Sequence, residues 1–468
     1  MPELPEVETV KNVITPIVVN HKITSIDVLR KTIIQNDTVE EFKNGLVGET
    51  FLSVSRIGKF LIFHLSNDKV MISHLRMEGK YFDMLESEDN SKYARVVFHL
   101  DNGHKVCYDD SRTFGILKLT SEDKYLLEKE IAQLGPEPFK ANPKDIFNKV
   151  KRSSLPIKST LLDQTLMTGL GNIYVDEVLF ASKIHPLTAA NKINLKEWEV
   201  IIDNSRRILN TAIKEGGSTI RSYHPGKGID GNFQVSLKAY GKGGEKCPEC
   251  GHYFRFIKVG GRGTTFCPNC QKRIAKQLSI AIFGKSGSGK SAVLNIFKEK
   301  GYSTISSDEI VHDLYKKKEV VSLINKAFDQ SFDKEVDRNI LRNYLKDNPK
   351  MINRLNRLIH PLVKKEVERF LKEGKTPLLV VEVPLLFEAK MENMFDILLA
   401  VDVKEKVQLE RLKERNPNSA LDIKQINSYS KFDENKLKAD VIINNNTDLS
   451  SLNIEIDKLI NKWQSRLN

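Results

Sequence analysis

Cysteine is scarce in this 468-residue chain: there are five, alongside two tryptophans, in a composition that is 40% apolar and 29% charged. So few cysteines exclude a disulfide scaffold. No apolar run reaches the roughly 18–20 residues of a membrane-spanning helix, so no membrane partner is expected. The opening residues, M-P-E-L-P-E-V-E-T, lack the basic and then apolar stretch of a secretory signal, and a cytoplasmic protein is the expectation. Concentrated charge of one sign is missing too. The formal net charge is +12, but it divides as 40 basic against 33 acidic residues in 1–276 and 33 against 28 in 277–468. A polyanionic partner is favoured without being identified. The length suggests roughly three domains.

What is present concentrates around Cys267–Ser291, read C-P-N-C-Q-K-R-I-A-K-Q-L-S-I-A-I-F-G-K-S-G-S-G-K-S. Its first end completes a C-x2-C-x16-C-x2-C set of Cys247, Cys250, Cys267 and Cys270. Four thiolates at that spacing suit a closed tetrahedral Zn²⁺ site of structural type. Its second end is an apolar strand, Leu278–Phe283, followed by G-x-x-x-x-G-K-S and an apolar-periodic helix, Ala292–Lys300. This is the context of a Walker A loop. Gly284, Gly287, Ser288 and Gly289 would bring backbone amides to ATP phosphates, Lys290 would reach the β and γ phosphates, and Ser291 would ligate Mg²⁺. Cys107 stands apart in a strand-like segment and reads as packing.

The amino terminus carries different chemistry. Removal of Met1 would expose Pro2 as a secondary amine, whose pKa near ~8 leaves much of it neutral and nucleophilic. Its condensation with an aldehyde-level carbon gives a cationic iminium, an electron sink. Glu3 beside it could protonate a departing sugar oxygen. Helical spacing over Val7–Val18 precedes strand-like runs at Ile23–Leu29, Thr50–Ile57, Phe60–Leu65, Val70–Leu75, Ala94–Leu100 and His104–Tyr108, a β-sandwich opened by one helix. After L-G-P-E-P, which reads as a linker, helical spacing covers Lys144–Val150, Ile157–Leu166, Ile173–Ser182 and Leu195–Glu215. The T-G-L-G-N turn at 168–172 has glycines that would let amides approach a phosphate.

With P-E-L-P-E-V-E-T, H-L-R-M-E-G, D-x-R-x-F-G, G-L-G-N-I-Y-x-D-E and G-R-G-T-x-F-C-P-x-C-Q, residues 1 to about 273 resemble the formamidopyrimidine-DNA glycosylases. Leu4, where the endonuclease VIII branch usually has Gly, favours oxidised purines. The resemblance implies excision of 8-oxoguanine and formamidopyrimidines from double-stranded DNA and cleavage of the abasic site by β,δ-elimination. It makes Pro2 the Schiff-base nucleophile, Glu3 the acid that opens the sugar, Lys59 the helper of β-elimination, and Arg262 a phosphate clamp assisting δ-elimination. Met77, Arg112 and Phe114 match the wedge that fills the stack when a nucleotide is extruded. His74, Arg95, Arg152 and Asn172 are further expected DNA contacts, with Lys158 a helper. Arg95 stands where the family typically has histidine. Residues 216–235 would close over the flipped base.

Beyond the Walker A loop, S-S-D-E-I-V-H-D-L-Y, D-R-N-I-L-R, I-H-P-L-V, V-V-E-V-P-L-L-F-E and L-E-R-L-K-E-R resemble dephospho-coenzyme A kinase over 278–468. The implied reaction is ATP-dependent phosphorylation of the ribose 3′-hydroxyl of dephospho-CoA. Asp308 would be the base, His312 and Arg338 substrate contacts, and Arg411 and Arg415 the lid charges over ATP. Glu382 stands where Asp is usual, and Tyr429 where Gln is. His360-Pro361 also reads as a helix start and Leu385–Phe387 as a buried strand end.

The expected architecture is multidomain: a β-sandwich catalytic domain (1–130), a helix–two-turn–helix domain with a lesion loop (131–235), a zinc-ribbon hairpin (236–273) and a P-loop α/β parallel-sheet kinase domain (277–468). A monomer is expected. The competing readings are one ATP-driven DNA-processing machine, a zinc-stabilised DNA-binding regulator, and an active glycosylase with a degenerate kinase domain. Helicase-like or ABC-type partner motifs, which the first would need, do not follow the Walker A loop.

Overall fold

The computed structural model describes residues 1–218, 236–415 and 431–467. The main part of the expected lesion loop, 219–235, and Tyr429 lie outside the described residues, as does the side chain of Arg415. The chain divides into two units, Met1–Gly243 with Ile257–Phe266, and Gly244–Phe256 with Cys267–Asn468. Among the described residues no helix is long and apolar enough to cross a membrane.

The first unit opens with the helix Leu4–Val18, which starts three residues earlier than apolar spacing suggested. Pro5 in its first turn suits a helix start, and the Glu3 N–H donates to Glu6 Oε2 at 2.8 Å as part of a capping box. Leu4, Val7, Val10, Ile14 and Val18 recur every three or four residues and are buried. Four strands run in the order Ile23–Val28, Ala94–Leu100, His104–Asp109, Lys80–Leu85. Five more run Ile34–Gln35, Ile116–Ser121, Lys69–His74, Phe60–Leu65, Phe51–Ile57. Phe51, Phe63, Val96, Phe98 and Tyr108 from both sheets share one core with the first helix, giving the expected sandwich. Lys80–Leu85, Ile116–Ser121 and the short helix Val39–Leu46 were not foreseen.

The helices Pro143–Val150, Ile157–Leu162, Asn172–Ala181 and Leu195–Lys214 enclose Tyr174, Leu179, Trp198 and also Leu4. The second of these ends at Leu162 rather than Leu166, because the Asp163 carboxylate accepts the Thr165 N–H at 2.9 Å and turns the chain. The L-G-P-E-P segment is no free linker. Glu137 accepts both terminal nitrogens of Arg56 and the Gly58 N–H. The hairpin Arg255–Val259 and Arg262–Phe266 turns at Gly260 and Gly261, both with positive φ.

The second unit holds a five-stranded parallel sheet in the order Ser303–Ser306, Leu378–Glu382, Leu278–Phe283, Ile397–Asp402, Val441–Asn444. Its central strand is buried throughout, as expected when helices cover both faces. Lys290–Glu299 and Leu449–Gln464 cover one face, and helices including Ser307–Leu314 and Ile352–Glu373 the other. Two expectations are corrected. His360-Pro361 sits inside the 22-residue helix Ile352–Glu373, not at its start; the proline lacks only the donor that Arg357 O would have received. The strand Leu378–Glu382 ends before Leu385–Phe387, and Leu385 is exposed.

Candidate functional site

In the first unit the amino terminus threads into the helical half. Pro2 is buried and Glu3 is 2% exposed. Glu3 Oε2 accepts the Gly171 N–H at 2.6 Å and the Tyr174 N–H at 3.4 Å, while Oε1 accepts the Ile173 N–H at 2.9 Å. The carboxylate thus sits on the N-terminus of the helix Asn172–Ala181, where free amides and the helix dipole favour an anion. Burial nevertheless dominates and lifts its pKa to about 7, with Glu6 adding to the rise and Lys59 opposing it. Lys59 is itself buried, donates to Leu170 O at 2.7 Å, and is held below the usual lysine range chiefly by burial. With Met1 in place the terminal ammonium is also lowered, burial outweighing Glu3, Glu6 and Glu78. A carboxyl group held protonated toward neutral pH therefore meets two amines whose proton affinity burial weakens.

The glycines of T-G-L-G-N make room for this approach. A Cβ on Gly171 would lie 2.4 Å from Glu3 Cδ, and one on Gly169 would lie 2.5 Å from Leu4 Cδ1. Asn172 Nδ2 donates to Gly263 O at 3.0 Å, and so holds the hairpin turn that carries Arg262. Lys158, expected as basic surface or a helper, is fully buried. Its Nζ donates to Asp176 Oδ1 at 2.7 Å and to Gly263 O at 2.9 Å. Asp176 is pushed up to about 6 by burial despite that partner, and also accepts the Thr265 N–H. Arg262 is exposed, and its charge is felt at both Lys59 and Lys158. Arg152 stands on an exposed turn after the helix Pro143–Val150.

Arg112 and Phe114 occupy one loop, with the guanidinium 4.9 Å from the ring centre. Phe114 is 54% exposed, which a core aromatic would not be, and Met77 is 37% exposed. Asp110 shapes that loop by accepting the Arg112 N–H at 2.9 Å and the Gly115 N–H at 2.7 Å. Arg95 Nε donates to Asp110 O at 2.7 Å, so its side chain braces the same loop. His74 is buried and its Nδ1 accepts the Arg76 N–H at 2.9 Å. Burial and the nearby Arg76 charge push its pKa down to about 3, leaving a neutral imidazole that shapes the turn before Met77. Glu6, Arg56 and Asp176 were missed by sequence reasoning, because nothing local marks a charged side chain whose partners lie many residues away, and Asp110 was missed although its partners Arg112 and Gly115 are close in sequence.

In the second unit, the loop after Leu278–Phe283 enters the helix Lys290–Glu299 through Gly289, whose φ is 93°. A Cβ there would lie 2.0 Å from Asn445 Nδ2, which donates to Ser288 O at 2.8 Å. Gln408 Nε2 donates to Ser286 O at 2.6 Å. Lys290 Nζ folds back on Lys285 O at 3.1 Å, and Ser291 Oγ donates to Glu382 Oε1 at 3.4 Å. Burial raises the Glu382 pKa against Lys290, with Asp308 and Glu309 pushing the same way as burial, so these groups share one end of the sheet. Asp308 is exposed on the first turn of Ser307–Leu314. Arg338 donates to Asp308 O at 3.1 Å, and with His312, Tyr315 and Asp333 it lines a groove of about 630 Å³. Arg411 Nη1 is buried without a hydrogen-bond partner, near the loop at Gly289. Asn445 and Gln408 are site residues that no motif announced.

The sulfurs of Cys247, Cys250, Cys267 and Cys270 all lie within 4.8 Å of one another. The pairs Cys247–Cys270 and Cys250–Cys267 are 3.9 and 3.4 Å apart. Zn–S bonds of about 2.3 Å in a tetrahedron separate sulfurs by about 3.8 Å, so the donor set fits a structural zinc ion.

Family models match along the chain. The formamidopyrimidine-DNA glycosylase N-terminal domain matches residues 1–117 and its H2TH domain 134–224. The zinc finger found in FPG and IleRS matches 244–273, and dephospho-CoA kinase matches 278–451. The formamidopyrimidine-DNA glycosylase of Mycoplasma mobile is 42% identical over 272 residues, 58% of this chain and 99% of the relative. That of Streptococcus pneumoniae is 44% identical over 278 residues, 58% of this chain and 100% of the relative. A crystal structure of the Lactococcus lactis Fpg with DNA containing an abasic site is similar at a TM-score of 0.55 and 40% identity, covering 58% of this chain and 100% of that one.

Proposed function

We propose that this chain, which belongs to the formamidopyrimidine-DNA glycosylase family over 58% of its length and carries a dephospho-CoA kinase domain behind that part, performs two separate reactions. The first half removes oxidised purines, 8-oxoguanine and formamidopyrimidines, from double-stranded DNA and then cuts the strand. Met77, Arg112 and Phe114 enter the stack as the damaged nucleotide leaves it. With Met1 removed, the Pro2 nitrogen attacks C1′. The N–C1′ bond forms, the glycosidic bond breaks, and its electron pair leaves with the base, which takes up the proton that the Pro2 nitrogen loses. Glu3 delivers its proton to the ring oxygen as the sugar opens, leaving an iminium. That cation acidifies C2′–H; Lys59 assists loss of this proton and expulsion of the 3′ phosphate, and Arg262 steadies the phosphate lost in δ-elimination. The seat of Glu3, buried on three amides with a pKa near 7, carries this reading.

The second half moves the γ-phosphoryl group of ATP to the ribose 3′-hydroxyl of dephospho-CoA. Asp308 accepts the hydroxyl proton as the O–P bond forms and ADP departs. Ser291 and Glu382 would hold the Mg²⁺ that neutralises phosphate charge. His312 and Arg338 orient the substrate, while Lys290, Arg411 and Arg415 meet the phosphates. Arg411 Nη1, buried with no partner beside Gly289, supports an anion at that place.

Two assays on the whole chain test the reading. Borohydride with an 8-oxoguanine duplex should trap a covalent protein–DNA adduct that an acetylated amino terminus cannot form. ATP with dephospho-CoA, without DNA, should yield coenzyme A and ADP. An adduct that survives terminal blocking would remove Pro2 from the mechanism, and a failure to phosphorylate would remove the kinase reaction.

A further inference from the structure

The two cysteine-bearing stretches of the zinc-type ribbon, in Gly244–Phe256 and from Cys267 on, lie in one unit with the parallel sheet, while the hairpin residues Ile257–Phe266 belong to the other. Arg255, 8% exposed, reaches from the ribbon to the sheet. Its Nη1 donates to Phe395 O at 2.9 Å and its Nη2 pairs with Asp440. Asp440 also accepts the Leu398 N–H at 2.7 Å and faces His252 Nε2 at 3.3 Å. It stands immediately before the strand Val441–Asn444, and Leu398 lies in Ile397–Asp402, so one carboxylate joins the ribbon to two strands. A second tie runs through Arg273, whose Nη1 meets Asp396 at 2.7 Å. Asp396 in turn accepts the Ser279 N–H at 2.9 Å at the start of the central strand. Arg466, beyond the last helix, donates to Arg273 O at 3.3 Å.

These ties gather at the N-terminal ends of the strands, whereas the phosphate loop leaves the C-terminal end of Leu278–Phe283. Open α/β sheets bind ligands at the C-terminal ends, so the ribbon contributes here to stability and not to nucleotide contact. A short ribbon holding four thiolates takes much of its folding free energy from its metal. Its collapse would strip Asp440 of Arg255 and leave a buried charge unpaired, a costly change.

We infer that the ribbon is a structural part of the kinase-like unit, and that zinc bound by its four cysteines stabilises that unit's sheet. The inference uses no catalytic assignment, so a chain without kinase activity would leave it standing. The two tryptophans allow a direct test, because Trp198 belongs to one unit and Trp463 to the other. Trp463 also lines a crevice with Pro268, Asn269 and Lys272 of the ribbon. In a Trp198→Phe variant of the full chain, a zinc-selective chelator should lower the thermal midpoint of Trp463 emission by roughly 5–10 °C. An added Arg255→Met substitution should shrink that chelator-induced shift. Hydrogen exchange of Ile397–Asp402 in the unsubstituted chain, with and without chelator, supplies a readout independent of either variant; exchange should quicken when zinc leaves. A chain that binds no zinc, or whose Trp463 midpoint and strand exchange are unmoved by full zinc release, overturns the inference.

Discussion

Replacing Glu3 by glutamine keeps the side chain's size and removes its proton. In the structure this carboxyl is 2% exposed, and burial lifts its pKa from 4.5 to about 7. A general acid contributes about 10²–10⁴-fold, so single-turnover excision of 8-oxoguanine should fall by that factor in Glu3→Gln. Trapping of a preformed abasic aldehyde should persist, because Pro2 is untouched. In the unsubstituted enzyme, the protonated fraction of Glu3 drops about tenfold per pH unit above its pKa, so excision should decline from pH 7 to 8.5. The fall on the acid side should follow protonation of the terminal amine. A stability signature follows from the same shift. The folded chain holds the Glu3 proton more tightly than the unfolded chain, so the associated stability is complete below pH 4.5 and is lost as pH rises to about 7, amounting to about 3 kcal/mol. Denaturant titrations across that window should show the slope, and Glu3→Gln should flatten it. Excision at the unsubstituted rate in Glu3→Gln, or a rate still climbing through pH 8.5, would refute the assignment.

Three further outcomes are expected. Lys158→Met leaves Asp176 buried without its cation and should cost about 3–5 kcal/mol in chemical denaturation of the first unit. Gly115→Ala would set a Cβ 1.8 Å from the Tyr108 hydroxyl and disturb the loop holding Arg112 and Phe114; lesion-DNA affinity should fall while zinc content stays unchanged. Gly289→Ala, with φ at 93° and Asn445 Nδ2 2.0 Å from the new methyl group, should abolish ATP binding by calorimetry and leave excision intact.

The legible parts of this chain were those whose chemistry is local. The four cysteines, the strand–glycine–lysine–serine run and the Pro2–Glu3 start each mark a candidate chemistry by residue type and short spacing. The sandwich strands with clean apolar patterning were found as well. Lys80–Leu85 escaped, because K-Y-F-D-M-L does not alternate apolar with polar residues, and the helix Ile352–Glu373 was obscured by Pro361. Phe114 illustrates a different limit. An aromatic in a strand-turn ordinarily reads as core, and only the structure shows that this one is 54% exposed.

The amino-acid sequence by itself determined which reactive groups exist and which two families they resemble, since motif chemistry depends on neighbours only a few residues apart. Only the tertiary structure decided how those groups are tuned. Glu3 reaches amides some 170 residues away, the glycines of T-G-L-G-N make room for it, Lys158 is sealed against Asp176, and Arg255 meets Asp440 across 185 residues. Burial and long-range pairing set proton affinity and stability, and neither is written in local spacing.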